Sequence, residues 1–204
     1  MAKIFKGLKT NIGYYPLDDA SAEIRLLELL PSGTTSVEKS PQIQCRLAHV
    51  SLDDESEYTA LSYVWGQRGS SHFPSSVLSE IRVTSNLEAA LKHIRKESES
   101  VMLWVDAICI DQTNNQEKNI QVGRMGSIFE KAMETIVWLG PAADESDLLL
   151  EIFEETLPDA RLMDMKTKSV ATEVARAVAF PSQAAAALFR REWWSRVWVL
   201  QEFI

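Results

Sequence analysis

Val101-Met102-Leu103-Trp104-Val105-Asp106-Ala107-Ile108-Cys109-Ile110 is apolar at nine of its ten positions. A strand covered on both faces of a sheet reads this way, so the run predicts a central strand. Upstream, Tyr58-Thr59-Ala60-Leu61-Ser62-Tyr63-Val64-Trp65-Gly66 predicts a second buried strand that stops at its glycine. Downstream, Thr135-Ile136-Val137-Trp138-Leu139 predicts a third, closed by Gly140-Pro141. Helical patterns separate them. After a short strand at Ile81-Arg82-Val83, Ser85 with Glu88 forms a capping box, and Leu87, Ala90, Leu91 and Ile94 share one face. Thr113 with Gln116 suggests another box, and Val122, Met125, Phe129 and Ala132 stripe a helix to about Met133. Strands alternating with helices predict an α/β fold whose parallel sheet is flanked by helices.

Further out the pattern changes. Ile24-Arg25-Leu26-Leu27-Glu28-Leu29-Leu30 fits a strand or a short helix ended by Pro31. Ile43-Gln44-Cys45-Arg46-Leu47 alternates as a strand does, and the polar stretch Ser32 to Pro41 would join the two as a hairpin. Residues 1–57, closing with the acidic turn Asp53 to Glu57, are read as an N-terminal extension, and 58–204 as the core. Beyond Gly140-Pro141, Asp144 to Thr156 reads as helix, and Ser169 to Phe189 as an Ala-rich helix interrupted at Pro181.

The chain of 204 residues is 46% hydrophobic and 25% charged, enough to bury a real core. A net charge of −8 without any basic run argues against binding nucleic acid or an anionic membrane. Cys45 and Cys109 match neither a disulfide framework nor a metal spacing, which fits a reducing compartment. The N-terminus lacks the apolar core of a signal peptide, and the uncharged stretch Ala177 to Phe189 is too short to span a bilayer. A cytoplasmic protein is expected. His49, His72 and His93 are scattered, so no metal site is expected either.

Ligands of parallel α/β sheets gather at the carboxyl ends of the strands. The rule points to Trp65-Gly66 with the loop after it, to Ile108 through Asp111, and to Trp138 through Gly140. Tyr63 or Trp65 offers a ring for stacking, and Gly66 to Ser71 with Arg68 offers a close backbone approach and a positive charge. Each has a plainer reading, as rim packing or as a surface loop. Asp106, an acid within an apolar run, either anchors a loop or belongs to the site. Near the end, Arg190 to Phe203 holds half of the six tryptophans, and Trp198 and Glu202 would share a helix face. That pair reads as a ligand site or as a helix docking by its tryptophan.

Three blocks in order resemble the fungal heterokaryon incompatibility (HET) domain: Ala60 to Gly66, Leu103 to Gln112, and Trp194 to Glu202. Tyr15-Pro16-Leu17 and Ile24-Arg25-Leu26-Leu27 are similar to the family's opening, and the resemblance spans about residues 14 to 204. Asp111 stands where the family usually has Asn, and Phe129 where it often has Tyr. Such domains usually continue past the last block, which suggests that more chain follows Ile204 in a complete protein.

The resemblance implies an effector of non-self recognition whose activation kills the cell. It also implies a distant likeness to TIR domains and their flavodoxin-like parallel sheet. Glu202 would then be the carboxylate of NAD-cleaving members, with Trp198 beside it; NAD is the expected substrate and no cofactor is required. Cleavage at the nicotinamide riboside bond releases a neutral leaving group, so a single carboxylate suffices to stabilise the developing positive charge. The alternative is a non-enzymatic death adaptor that self-associates and recruits partners. In either case the expected partners are further copies of the chain and an upstream non-self recognition protein.

Overall fold

The computed structural model describes residues 14–33, 43–66, 72–74, 80–156 and 182–196. They divide into two compact units, one running to Gly140 and resuming at Arg196, the other covering residues 141–195.

The first unit is built on a five-stranded sheet with the order β2-β1-β6-β3-β7. Its strands are β1 (Glu23–Leu29), β2 (Cys45–Ser51), β3 (Thr59–Tyr63), β6 (Val101–Trp104) and β7 (Glu134–Trp138). A separate two-stranded ribbon pairs β4 (His72–Pro74) with β5 (Glu80–Arg82). The three strands expected from the apolar runs lie together, with β3 parallel to both β6 and β7. The sheet as a whole is mixed rather than parallel, because β1 runs antiparallel to both β2 and β6. Hydrophobic period reveals that a strand is buried but not which neighbour it pairs with or in which sense. The ladder Leu27↔Leu103 to Leu29↔Val101 crosses the expected boundary between residues 57 and 58. Ile24, Leu26, Leu27 and Leu29 are accordingly sealed from solvent, in a strand with a neighbour on each side.

The opening run is not one strand. β6 ends at Trp104, Val105 caps a short helix α2 (Asp106–Cys109), and Ile110 leads out of it. Asp106 drives the turn by accepting the Ala107 amide on Oδ1 at 2.7 Å, which supplies a partner for an otherwise orphaned donor. Ile108, Cys109 and Ile110 are still buried, so the run records burial rather than extended backbone. Both helix caps also move by one residue from their expected places. Helix α1 (Ser85–Ile94) is capped by Thr84, whose hydroxyl accepts from Leu87 N, and α3 (Asn115–Glu130) by Asn114, which accepts from Gln116 N and Glu117 N. Met125, Ile128 and Phe129 of α3 are buried, and Phe129 meets Trp104 edge-on with ring centroids 5.6 Å apart.

The chain leaves β3 to form β6 on one side, then leaves β6 to form β7 on the other side of β3. With right-handed crossovers, that reversal opens a crevice between the carboxyl ends of β3 and β6.

The second unit holds α4 (Ser146–Thr156), α5 (Ser182–Phe189) and a 3-10 turn at Glu192–Ser195. Leu149, Ala184, Ala185, Leu188 and Trp193 are buried, and Trp194 Nε1 donates to Leu188 O at 3.0 Å. No helix among the described residues is long and apolar enough to cross a membrane.

Candidate functional site

At the crevice between β3 and β6 lies a cleft of about 410 Å³. The end of β3 contributes Val64, Trp65 and Gly66; the end of β6 contributes Asp106, followed by Ile110 and Gln112. Lys118, Val122 and Met125 line it from α3, and Arg196 completes it.

A clasp spans the two strand ends: Trp65 Nε1 donates to Asp106 Oδ2 at 2.8 Å. The other carboxylate oxygen holds the Ala107 amide, and Gln112 Nε2 donates to the Asp106 carbonyl at 3.0 Å. Asp106 thus anchors its loop and also lines the cleft. Trp65, 40% exposed, keeps its ring accessible while its N–H is engaged. Gly66 sits at φ +66°, a left-handed conformation that glycine adopts without strain. Asn86 braces this turn by donating to Val64 O at 2.7 Å while accepting from Trp138 Nε1 at 2.9 Å.

Tyr63 is placed differently from expectation. It is 2% exposed and does not line the cleft, so Trp65 is the ring available for stacking. Burial pushes the Tyr63 hydroxyl well above the usual phenol range, and the charge and hydrogen bond of Asp106 push it further. Arg196 acts in the opposite direction and donates to Ser62 Oγ at 3.2 Å. Tyr63 is therefore a neutral donor that supports Asp106. Trp138, also expected near the site, instead engages Asn86 and lies 5.4 Å from the His93 ring. Arg68, Trp198 and Glu202 lie outside the described residues.

Behind the cleft wall is an ion pair that sequence reasoning missed. Arg25, fully buried in β1, makes a two-pronged contact with Glu117, which is itself 9% exposed. Arg25 also donates to Cys109 O at 3.2 Å and to Tyr15 O, while Glu117 accepts the Asp111 amide at 2.7 Å. Tyr14 lays its ring 5.0 Å from the guanidinium and donates to Ile108 O at 3.0 Å; burial raises its hydroxyl to about 12. The network fixes α2 and the turn that carries Ile110 and Gln112. Two signals were present: an arginine inside an apolar strand, and a glutamate three residues after Asn114, where a capping box would place it. Glu117 gives up that capping role to neutralise Arg25. Among the described residues no group of His, Cys, Asp or Glu could hold a metal ion. Burial raises the Cys45 thiol to about 11 and the Cys109 thiol to about 12, so neither is a ready nucleophile.

A profile described as heterokaryon incompatibility protein (HET) matches residues 58–202. "Heterokaryon incompatibility protein 6, OR allele" of Neurospora crassa is 32% identical over 227 aligned positions, covering 92% of this chain. The chain spans about a third of that relative's length, 32%. No solved structure matches it.

Proposed function

We propose a function from the premise that this chain belongs to the heterokaryon incompatibility (HET) family. It is a domain of a fungal incompatibility effector, and its activation kills the cell by hydrolysing NAD+ to nicotinamide and ADP-ribose in the cleft between β3 and β6.

The observation that carries this reading is the Trp65–Asp106 clasp at the crevice where α/β sheets bind nucleotides. The exposed indole offers a stacking face, and Gly66 lets backbone approach the ligand closely. In the reaction the bond between nicotinamide nitrogen and ribose C1′ breaks, with its electron pair leaving on the now neutral nicotinamide. Water adds to C1′ and releases a proton. Glu202, assigned through the resemblance, supplies the negative charge that stabilises the cationic sugar. Purified protein is incubated with NAD+ under conditions that promote assembly, beside Glu202→Gln. A loss of turnover on the order of 100-fold or more is expected, as for removal of one electrostatic stabiliser. Equal turnover by the two proteins refutes the role of Glu202.

The second reading, a non-enzymatic adaptor, has its own support. Phe189 and Trp194 in the unit of residues 141–195 are 56% and 43% exposed, with ring centroids 5.0 Å apart. Exposed, adjoining aromatics are typical of contact surfaces. Killing in a fungal host that survives Glu202→Gln but fails after Phe189→Ser would favour the adaptor.

A further inference from the structure

We propose that Lys118 is the anion-recognition residue of the cleft, seating the phosphate of a ligand whose planar ring lies against Trp65. This deepens the nucleotide reading above and rests on it for the ring.

The first observation is a contrast among the cations. In the sheet-bearing unit, every other described Lys or Arg side chain holds an acid, a carbonyl or a hydroxyl. Arg25 holds Glu117, Lys92 holds Glu88, Lys131 holds Asp53, Arg95 holds Leu30 O and Arg196 holds Ser62. Arg46, Lys96 and Arg124 are likewise engaged. Lys118 alone makes no ion pair or side-chain hydrogen bond among the described residues, although it is half-buried. Partly desolvating a charge without a partner is unfavourable, and the chain, at −8, is rich in acids that might have served. An unpaired ammonium held at a cleft is relieved when a ligand anion enters.

The second observation is the local charge. Among the described residues, Lys118 and Arg196 against Asp106 give the lining a balance of +1 within a chain of −8. Asp106 is also a weakened repeller of anions, because its oxygens already accept from Trp65, Ala107 and Tyr63. The third is the apolar stretch of the same lining, Ile110, Val122 and Met125, which suits a ring rather than a bare ion. The class of ligand that satisfies all three is a phosphate joined to a flat heterocycle.

The test titrates the whole 204-residue chain calorimetrically with ADP, adenosine and inorganic pyrophosphate, as wild type, Lys118→Met and Lys118→Arg. Wild type should bind ADP about tenfold or more tighter than adenosine, the gain expected of a charge-assisted contact. Lys118→Met should bring ADP down to the level of adenosine and leave adenosine unchanged, and Lys118→Arg should recover most of the loss. ADP binding by Lys118→Met that equals wild type overturns the role of Lys118 while the nucleotide reading stands. Pyrophosphate binding that needs Lys118, in a chain that ignores adenosine, supports the anion contact and removes the nucleotide reading. Binding of none of the three overturns both.

Discussion

The sheet-bearing unit carries two clefts of the same volume, about 410 Å³ each, and opposite character. One gathers Asp53, Asp54, Glu55 and Glu57 around a single cation, Lys131, which is already held by Asp53 Oδ1 at 3.2 Å and Leu52 O at 3.0 Å. The other gathers an exposed indole, a clasped carboxylate and two cations, of which Lys118 is unpaired among the described residues. Size does not distinguish them. The acidic cleft lies at a polar turn, and the one cation among its described lining residues is spoken for, whereas the second lies where two parallel strands end and their crossovers diverge. The walls differ as well: the second is backed by the buried Arg25–Glu117 pair, the first by an ion pair whose members are 45% and 75% exposed.

The largest effect expected from this contrast comes from removing the cation behind each wall. Arg25→Met strands a buried carboxylate at Glu117 and should lower stability by about 3–5 kcal/mol, measured by urea unfolding. Lys131→Met breaks an exposed pair and should cost no more than about 1 kcal/mol. Equal losses would dissolve the distinction between the two walls.

Gly66→Ala comes next. Its new Cβ would meet Asn86 Cβ at an ordinary 3.6 Å, so the cost is conformational, about 1–2 kcal/mol for a left-handed residue with a side chain. A smaller cost would mean that the turn relaxes, and the binding of ADP should then weaken in parallel.

A smaller effect than that of Gly66 belongs to Tyr58, which lines the acidic cleft and donates to Ile128 O at 2.6 Å. Tyr58→Phe should lose about 0.5–1.5 kcal/mol at neutral pH. Burial raises the Tyr58 hydroxyl from 10.0 to about 12, so the folded state holds this proton more tightly than the unfolded chain does. That contribution is complete below pH 10 and is lost as the pH rises toward 12. The advantage of wild type over Tyr58→Phe should therefore disappear across that window, as followed by denaturant unfolding at each pH. An advantage that stays constant to pH 12 would contradict the shift.

Much of the scaffold was legible because burial writes itself into periodicity. The runs around Leu61, Leu103 and Val137 gave three strands, and Leu87, Ala90 and Leu91 gave α1. Periodicity failed at Val105, where an apolar run changes from strand to helix while remaining buried, since the same composition serves both. It also failed for β1, whose antiparallel place beside β6 depends on a partner 76 residues away, Leu103 for Leu27. In the site, Trp65, Gly66 and Asp106 could be named because the carboxyl-end rule concerns strand ends, which the sequence marks. Lys118 and Arg25 could not, because an unpaired lysine and a paired arginine look alike until their neighbours are known.

By itself, then, the sequence determined the class of fold, the family, and the residues at the ends of the parallel strands. Those follow from local patterns and ordered motifs, which need no knowledge of what lies across the sheet. Only the tertiary structure decided that β1 joins the core sheet, that Trp65 rather than Tyr63 presents its ring, and that Arg25 takes Glu117 while Lys118 takes no partner among the described residues. These are choices of partner among groups distant in the chain, and the Coulomb and desolvation energies that make them act through space rather than along the sequence.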